Sequence, residues 1–147
     1  MEKLLVMDAS VAIKAILPNP LQGHCQALVS TFAETQPAAP ALWAHETTSA
    51  IAKTVHFGQI TAAEGRQAVE QLATLGVQLF IPNLEQNLAA FDWTFRLKRA
   101  AAYDSYYLAL AQSLDCAFWT ADSRLFNALK DERLGWLHWI EEIPLLK

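Results

Sequence analysis

Two aspartates stand behind short apolar runs, where a sheet would set them side by side. Asp8 follows Leu4-Leu5-Val6-Met7, and Asp122 follows Cys116 to Thr120 with only Ala121 between. Asp104 opens the apolar stretch Tyr103 to Leu114, which feeds the second of these runs. Glu46, within Leu42-Trp43-Ala44-His45-Glu46, is the only acid between Glu34 and Glu64. Singly, each has a structural explanation. Aspartate is a favoured N-cap because a helix start needs its first N–H groups satisfied, and a lone helical glutamate is ordinarily a surface residue. As a set they read differently, because open α/β sheets bind ligands outside the carboxyl ends of their strands. Capping does not call for three aspartates at one sheet edge. Converging carboxylates repel one another unless a cation neutralises them. An all-oxygen donor set without a Cys/His group selects Mg²⁺ or Mn²⁺. Such an ion can activate a water, orient a phosphodiester and stabilise the leaving oxygen, which is nuclease chemistry.

The elements that must position these acids follow from pattern and punctuation. Leu4–Met7 is a continuous apolar run suited to a strand buried on both faces. Ser10 to Leu17 reads as a short helix stopped by Pro18-Asn19-Pro20, and Leu21 to Glu34 as a second helix. A loop carrying Pro37 and Pro40 comes next, with Pro40 in the first turn of a helix running to about Phe57, ahead of Gly58. Thr61-Ala62-Ala63-Glu64 is a capping box for a helix ending near Leu75-Gly76. Val77 to Ile81 reads as a strand. Asn83 with Gln86 starts a helix carrying Leu84, Leu88, Phe91 and Phe95 at helical spacing. Tyr103 to Leu114 is a helix, Cys116 to Thr120 a strand, Ser123 to Lys130 a short helix, and Trp136 to Ile140 a last strand at the sheet edge. The alternation predicts an α/β fold, helix-rich, around a mostly parallel sheet.

Composition narrows the classes. A chain of 147 residues and 16.3 kDa predicts one domain over 1–147. Its 53% hydrophobic content excludes intrinsic disorder. With charged residues at only 18% and a mean hydropathy of +0.15, part of the apolar surface is expected to face a protein partner. A net charge of −4 and a pI near 5.5 exclude the basic footprint of a tight nucleic-acid binder, though not a nuclease whose metal supplies positive charge. Cys25 and Cys116 form no CxxC pair and are expected to be reduced, as in a cytoplasmic protein. Met1-Glu2-Lys3 does not open like a secretory leader, and the uncharged stretch Ala15 to Ala33 is interrupted by Pro18, Asn19 and Pro20, so no membrane association is expected.

The same residues resemble a known family. Asp8-Ala9-Ser10-Val11, with Lys14 shortly after, resembles the opening motif of PIN-domain ribonucleases. Pro40 through Glu46 is similar to the segment bearing that family's glutamate, Tyr103 through Ala111 to its third acidic motif, and Thr120-Ala121-Asp122-Ser123-Arg124-Leu125 to its fourth. The motifs occur in family order from about Lys3 to Ile140, the third being the most specific, while residues 58 to 100 carry none. Ala15-Ile16 departs from the aromatic pair often found after the first motif. By pattern the chain looks like the VapC-type toxins of VapBC toxin–antitoxin modules. The resemblance implies a three-layer α/β/α sandwich. It also implies an Mg²⁺- or Mn²⁺-dependent endoribonuclease acting on single-stranded or loop RNA, with a protein antitoxin and a homodimeric state. Carried over residue by residue, Asp8, Glu46, Asp104 and Asp122 are its catalytic and metal-binding acids, and Ser10 and Thr120 are hydroxyls orienting them.

The basic residues complete the expected site. Lys14 and Arg124 lie near motif acids and are candidates for RNA phosphates, or alternatively partners that keep the empty site neutral. Arg96, Lys98 and Arg99 form the densest basic cluster, which reads either as a phosphate contact or as a solvated helix end. The four histidines show no zinc spacing. Trp136 and Trp139 read as packing or interface residues before base-stacking ones. Two other functions compete. In an aspartyl phosphatase of the haloacid-dehalogenase type Asp8 is the nucleophile, but that family expects an acid where Ser10 stands, and no lysine motif follows. A non-catalytic PIN-like RNA-binding or scaffold module is disfavoured because all four acids are present.

Overall fold

The computed structural model describes residues 3–147; Met1 and Glu2, which belong to the start read above, lie outside the described residues. The chain runs through β1 (Lys3–Met7), α1 (Ala9–Ile16) and α2 (Gln22–Ser30), with a 3-10 turn over Thr31–Ala33. Then come β2 (Thr35–Pro40), α3 (Leu42–His56), α4 (Ala62–Ala73), β3 (Gln78–Phe80) and α5 (Leu84–Arg96). The last elements are α6 (Tyr103–Leu114), β4 (Ala117–Thr120), α7 (Ser123–Leu129) and β5 (Leu137–Trp139). The strands form one sheet in the order β3-β2-β1-β4-β5, and every pairing among the described residues is parallel. This is the helix-rich α/β architecture expected, with the last strand at an edge.

One element departs from expectation. The stretch with Pro37 and Pro40, read as a loop leading into a helix, is strand β2, paired on both sides. Proline lacks a ladder donor and normally argues against an inner strand. The register shows how the sheet accommodates it. Pairing with β3 begins at Ala38, beyond Pro37, and Pro40 is the last residue of β2, so α3 starts only at Leu42. Beside Pro37, the Gln36 side chain donates to the Gly76 carbonyl at 2.9 Å, a side-chain contact where β3 is absent. The helix expected over Leu21–Glu34 also ends earlier, at Ser30, before its 3-10 turn.

The sheet is covered on both faces, since Leu5, Val6 and Met7 are buried in succession although alternate residues point to opposite faces. α6 lies on β1, β2 and β4 and carries α5 on its outer side, while α1 packs on β1 and β4 and groups with α2, α3 and α4. Val11, Ala12 and Ala15 are the buried face of α1; Tyr107, Leu108, Leu110 and Ala111 that of α6. Burying a large apolar side chain is worth about 1.5–3 kcal/mol, and these positions hold the helices over the ends of the strands. Asn83 and Thr61 cap α5 and α4 in the expected capping boxes. Trp136 meets Trp93 edge-on and Trp139 packs against Phe126, so both pack as expected. Cys25 and Cys116 are unbridged, and burial pushes the Cys25 thiol up to about 12. No helix among the described residues is long and apolar enough to cross a membrane.

The apolar surplus emerges on α5. Leu84, Leu88, Phe91 and Phe95 are 72%, 57%, 66% and 79% exposed. Ile81, next to edge strand β3, is exposed as well. The residues of α5 that face α6 are others, Ala90, Trp93 and Thr94 among them; Trp93 donates to Gln112 and Thr94 to Ser105.

Candidate active site

The chain order places the site. From β1 the sheet grows through β2 to β3, then the chain crosses back to set β4 on the other side of β1. The carboxyl ends of β1 and β4 therefore flank the point where the winding reverses, where such sheets bind ligands. Asp8 leaves β1 there, and Asp122 follows β4.

Asp8 is the N-cap of α1, accepting from the Val11 N–H at 3.3 Å, so its capping role is real. It does more than cap. The Ser10 hydroxyl donates to Asp8 Oδ1, and the Thr120 hydroxyl donates to Oδ2 at 2.5 Å. Both hydroxyls also accept backbone N–H groups from the facing loop: Ala121 N–H reaches Ser10 Oγ at 3.0 Å and Asp122 N–H reaches Thr120 Oγ1 at 3.0 Å. Lys14 Nζ fastens the same loop, donating to the Ala121 carbonyl at 2.7 Å. Ser10 and Thr120 thus touch Asp8 as expected, and Lys14 is engaged with backbone. Asp122 caps α7 through Arg124 N–H at 3.0 Å and Leu125 N–H at 3.4 Å, leaving the Arg124 side chain exposed on the first turn.

The other two acids come from helices. Aspartate's capping preference predicts a helix-start role for Asp104; it sits in the first turn of α6, whose N-cap is Ala102, and makes no cap bond. Its carboxylate instead meets Arg99 at 3.4 Å. Glu46, half-buried on α3, accepts a hydrogen bond from the Tyr107 hydroxyl at 2.6 Å. Of the remaining basic cluster, Arg96 pairs with Glu132 and lies over the Trp93 ring, and Lys98 adopts the left-handed turn that closes α5. The cluster therefore divides: Arg99 joins the acids, and Arg96 does not. A cleft of about 750 Å³ runs between α1, α3 and α4 past Lys14 and is lined by none of the four acids.

Electrostatics ties the acids together. Burial raises the Asp8 carboxyl to about 7 against the bonds from Ser10, Thr120 and Val11, and the Asp122 charge adds to the rise. Burial also raises Asp104, with Arg99 opposing and Asp122 reinforcing. It raises Glu46 too, opposed by the Tyr107 bond and reinforced by Asp104. Burial and the Glu46 charge push the Tyr107 phenol upward, so it stays a donor. Each acid thus feels another, in the order Glu46, Asp104, Asp122, Asp8. Among the described residues no three His, Cys, Asp or Glu side chains already stand together as a ready metal cage. Asp8 is 6% exposed and takes part in no ion pair with a described lysine or arginine, which leaves a buried charge awaiting a proton or a cation.

The Tyr107–Glu46 contact and the Arg99–Asp104 pair carried no assigned role in the sequence. One signal was present: Tyr107 lies three residues after Asp104, on the same helix face.

No protein-family model matches the chain. Its fold is shared with solved structures, two of them as follows. One is PAE2754 from Pyrobaculum aerophilum, with a TM-score of 0.69 at 14% identity over 97% of this chain and 94% of that one. The other is VapBC-1 from nontypeable Haemophilus influenzae, with a TM-score of 0.57 at 19% identity over 92% of this chain and 96% of that one. In sequence it is 32% identical to VapC ribonuclease Mb0985 of Mycobacterium bovis over 123 residues, 83% of this chain and 88% of that protein. The same identity and shares hold for ribonuclease VapC9 of Mycobacterium tuberculosis. With Asp8 and Asp122 at the reversal point of the sheet and this similarity over most of its length, the chain belongs to the VapC ribonuclease family.

Proposed function

We propose that the protein is a metal-dependent endoribonuclease that hydrolyses RNA phosphodiesters, acting as the toxin of a toxin–antitoxin pair. The carrying observation is Asp8, a buried carboxylate without a cationic partner among the described residues, set beside Asp122 where β1 and β4 end. The donor set fits a hard divalent ion. Mg²⁺ and Mn²⁺ take carboxylate oxygens, and Mg²⁺ sites typically use one or two carboxylates and fill the rest with water and substrate phosphates. The absence of a closed three-ligand cage among the described residues agrees with that mode. Asp8 and Asp104 would hold the ion, with Glu46 and Asp122 completing its surroundings. When bound, it would supply an activated water and charge for the leaving oxygen. The protein's share is positional. Ser10 and Thr120 aim the Asp8 oxygens, and Lys14 pins the Ala121 loop. Arg99 and Arg124 stand on the exposed side as phosphate contacts.

Cleavage of an end-labelled hairpin RNA by the purified protein tests this reading. Cutting is expected with Mn²⁺ or Mg²⁺ and none with EDTA. Cutting that persists in EDTA would refute the metal role, and RNA binding without cutting in any condition would point to a silent binding module.

The partners in this reading are a protein antitoxin, by analogy with the VapBC-1 assembly, and a second copy of the chain. The copy is assigned to the α5 stripe. Leu84, Leu88, Phe91 and Phe95 recur at coiled-coil-like spacing with no charge among them, while Glu85, Asp92 and Arg96 lie elsewhere on the helix. A two-fold interface needs only one self-complementary patch, and an uncharged stripe crossing its own copy provides it. Wild-type protein is expected to elute as a dimer by light scattering, and Phe91→Asp as a folded monomer. A monomeric wild type, or an equally tight Phe91→Asp dimer, would remove this assignment.

A further inference from the structure

Tyr107 has no part in the scheme above, yet it joins two parts of the site. Its ring is 1% exposed and stacks on Phe118 of β4, with centroids 6.1 Å apart and planes at 22°. Its hydroxyl donates to Glu46 Oε1 at 2.6 Å, across 61 residues of chain. Phe118 leads within the same strand to Thr120, the hydroxyl that holds Asp8. Packing alone does not explain the oxygen. A phenylalanine ring would stack equally well, and a buried hydroxyl costs free energy unless it is bonded. Glu46 has the opposite need, being a long, half-buried side chain whose carboxylate could otherwise settle in many rotamers. A rigid buried donor at 2.6 Å removes that freedom.

We infer that Tyr107 is a positioning residue: held by Phe118, its hydroxyl keeps the Glu46 carboxylate turned toward Asp104 and so presents it to the divalent ion. This rests on the metal-dependent reading above. The neighbouring Tyr106 supplies an internal control, since its hydroxyl donates to Asn87 at 2.7 Å outside the acid group.

The test is Mn²⁺ binding, measured by titration calorimetry on the full chain without RNA. The variants are Tyr107→Phe, Tyr106→Phe, Glu46→Gln and the double variant Tyr107→Phe with Glu46→Gln. All are compared below the lowest unfolding midpoint of the set. Losing a group that orients a metal ligand typically weakens affinity by about 10- to 100-fold, and Tyr107→Phe is expected in that range. Tyr106→Phe is expected to match wild type. In the Glu46→Gln background, Tyr107→Phe is expected to add nothing, because coupled residues are not additive. Affinity within about twofold of wild type for Tyr107→Phe would overturn the inference. So would a full additional loss in the double variant, which would mean that the tyrosine acts through packing. A wild type that binds no Mn²⁺ would overturn the metal reading itself and this inference with it, a failure seen before any variant is compared.

Discussion

Asp8→Asn is expected to abolish cleavage and, at neutral pH without metal, to make the protein more stable. The first effect follows from losing the charge of a proposed ligand. Transition-state stabilisation by a metal is worth several kcal/mol, and a loss of that size is about a thousandfold in rate. The second follows from burial. The Asp8 carboxyl is raised from 3.8 to about 7, so the folded state keeps a proton that the unfolded chain releases. Stability is therefore greatest below the unfolded value, falls as pH rises toward about 7, and levels off above it. At about 1.4 kcal/mol per pH unit, the buried charge costs on the order of 4 kcal/mol at pH 8. Asparagine removes that cost and gives back about 1 kcal/mol in poorer bonds with Ser10 and Thr120. At roughly 2–4 °C per kcal/mol, the unfolding midpoint should rise by about 5–10 °C at pH 8 and hardly at all at pH 5. Adding Mn²⁺ should stabilise wild type alone and narrow the gap. Melting curves from pH 5 to 8 decide the matter. A variant that is less stable at pH 8, or that still cuts RNA, would contradict this account of the site.

Thr120→Val should do the reverse to stability. Valine suits a strand and keeps the volume, so only the hydroxyl is lost. That hydroxyl is fully buried, donates to Asp8 Oδ2 and accepts from Asp122 N–H. Its removal leaves a buried carboxylate oxygen and a part-buried N–H without this partner, at up to about 1–3 kcal/mol each. A fall of about 10 °C in the unfolding midpoint is expected at roughly 2–4 °C per kcal/mol, with cleavage down about 10- to 100-fold. Thr120→Ser, which keeps the oxygen, should recover most of both. Equal loss in the serine and valine variants would show that the methyl group matters and the hydroxyl does not.

These residues also show how far the sequence alone was legible. Local signals were read correctly where the physics is local. The capping boxes at Thr61 and Asn83 and the span of α6 from Tyr103 to Leu114 are as expected. The site acids at Asp8 and Asp122 could be placed because a carboxylate directly after an apolar strand has one destination in a parallel sheet. β2 is not legible locally because Pro37 and Pro40 are strong breakers; the sheet tolerates them because β3 pairs only beyond Pro37 and Pro40 ends the strand. The periodicity of Leu84, Leu88, Phe91 and Phe95 gave the helix but not its outward orientation, since a stripe has the same spacing whether it meets the core or a partner. The tie from Tyr107 to Glu46 depends on α3 and α6 meeting in space, which no local pattern encodes.

The parallel pairing of β1 with β4 bears on biosynthesis. Asp8 is made with β1, but its partner hydroxyl at Thr120 lies 112 residues later in the chain. Domains fold as units during synthesis from the N-terminus, and non-local parallel pairings are among the slower contacts to form. A growing polypeptide that has not yet released β4 from the ribosome therefore has Asp8, Glu46 and Asp104 but neither the Thr120 hydroxyl nor Asp122. Ordering of the Asp8 carboxylate is delayed until β4 has been made, and a chain broken before Thr120 lacks the bond that holds it.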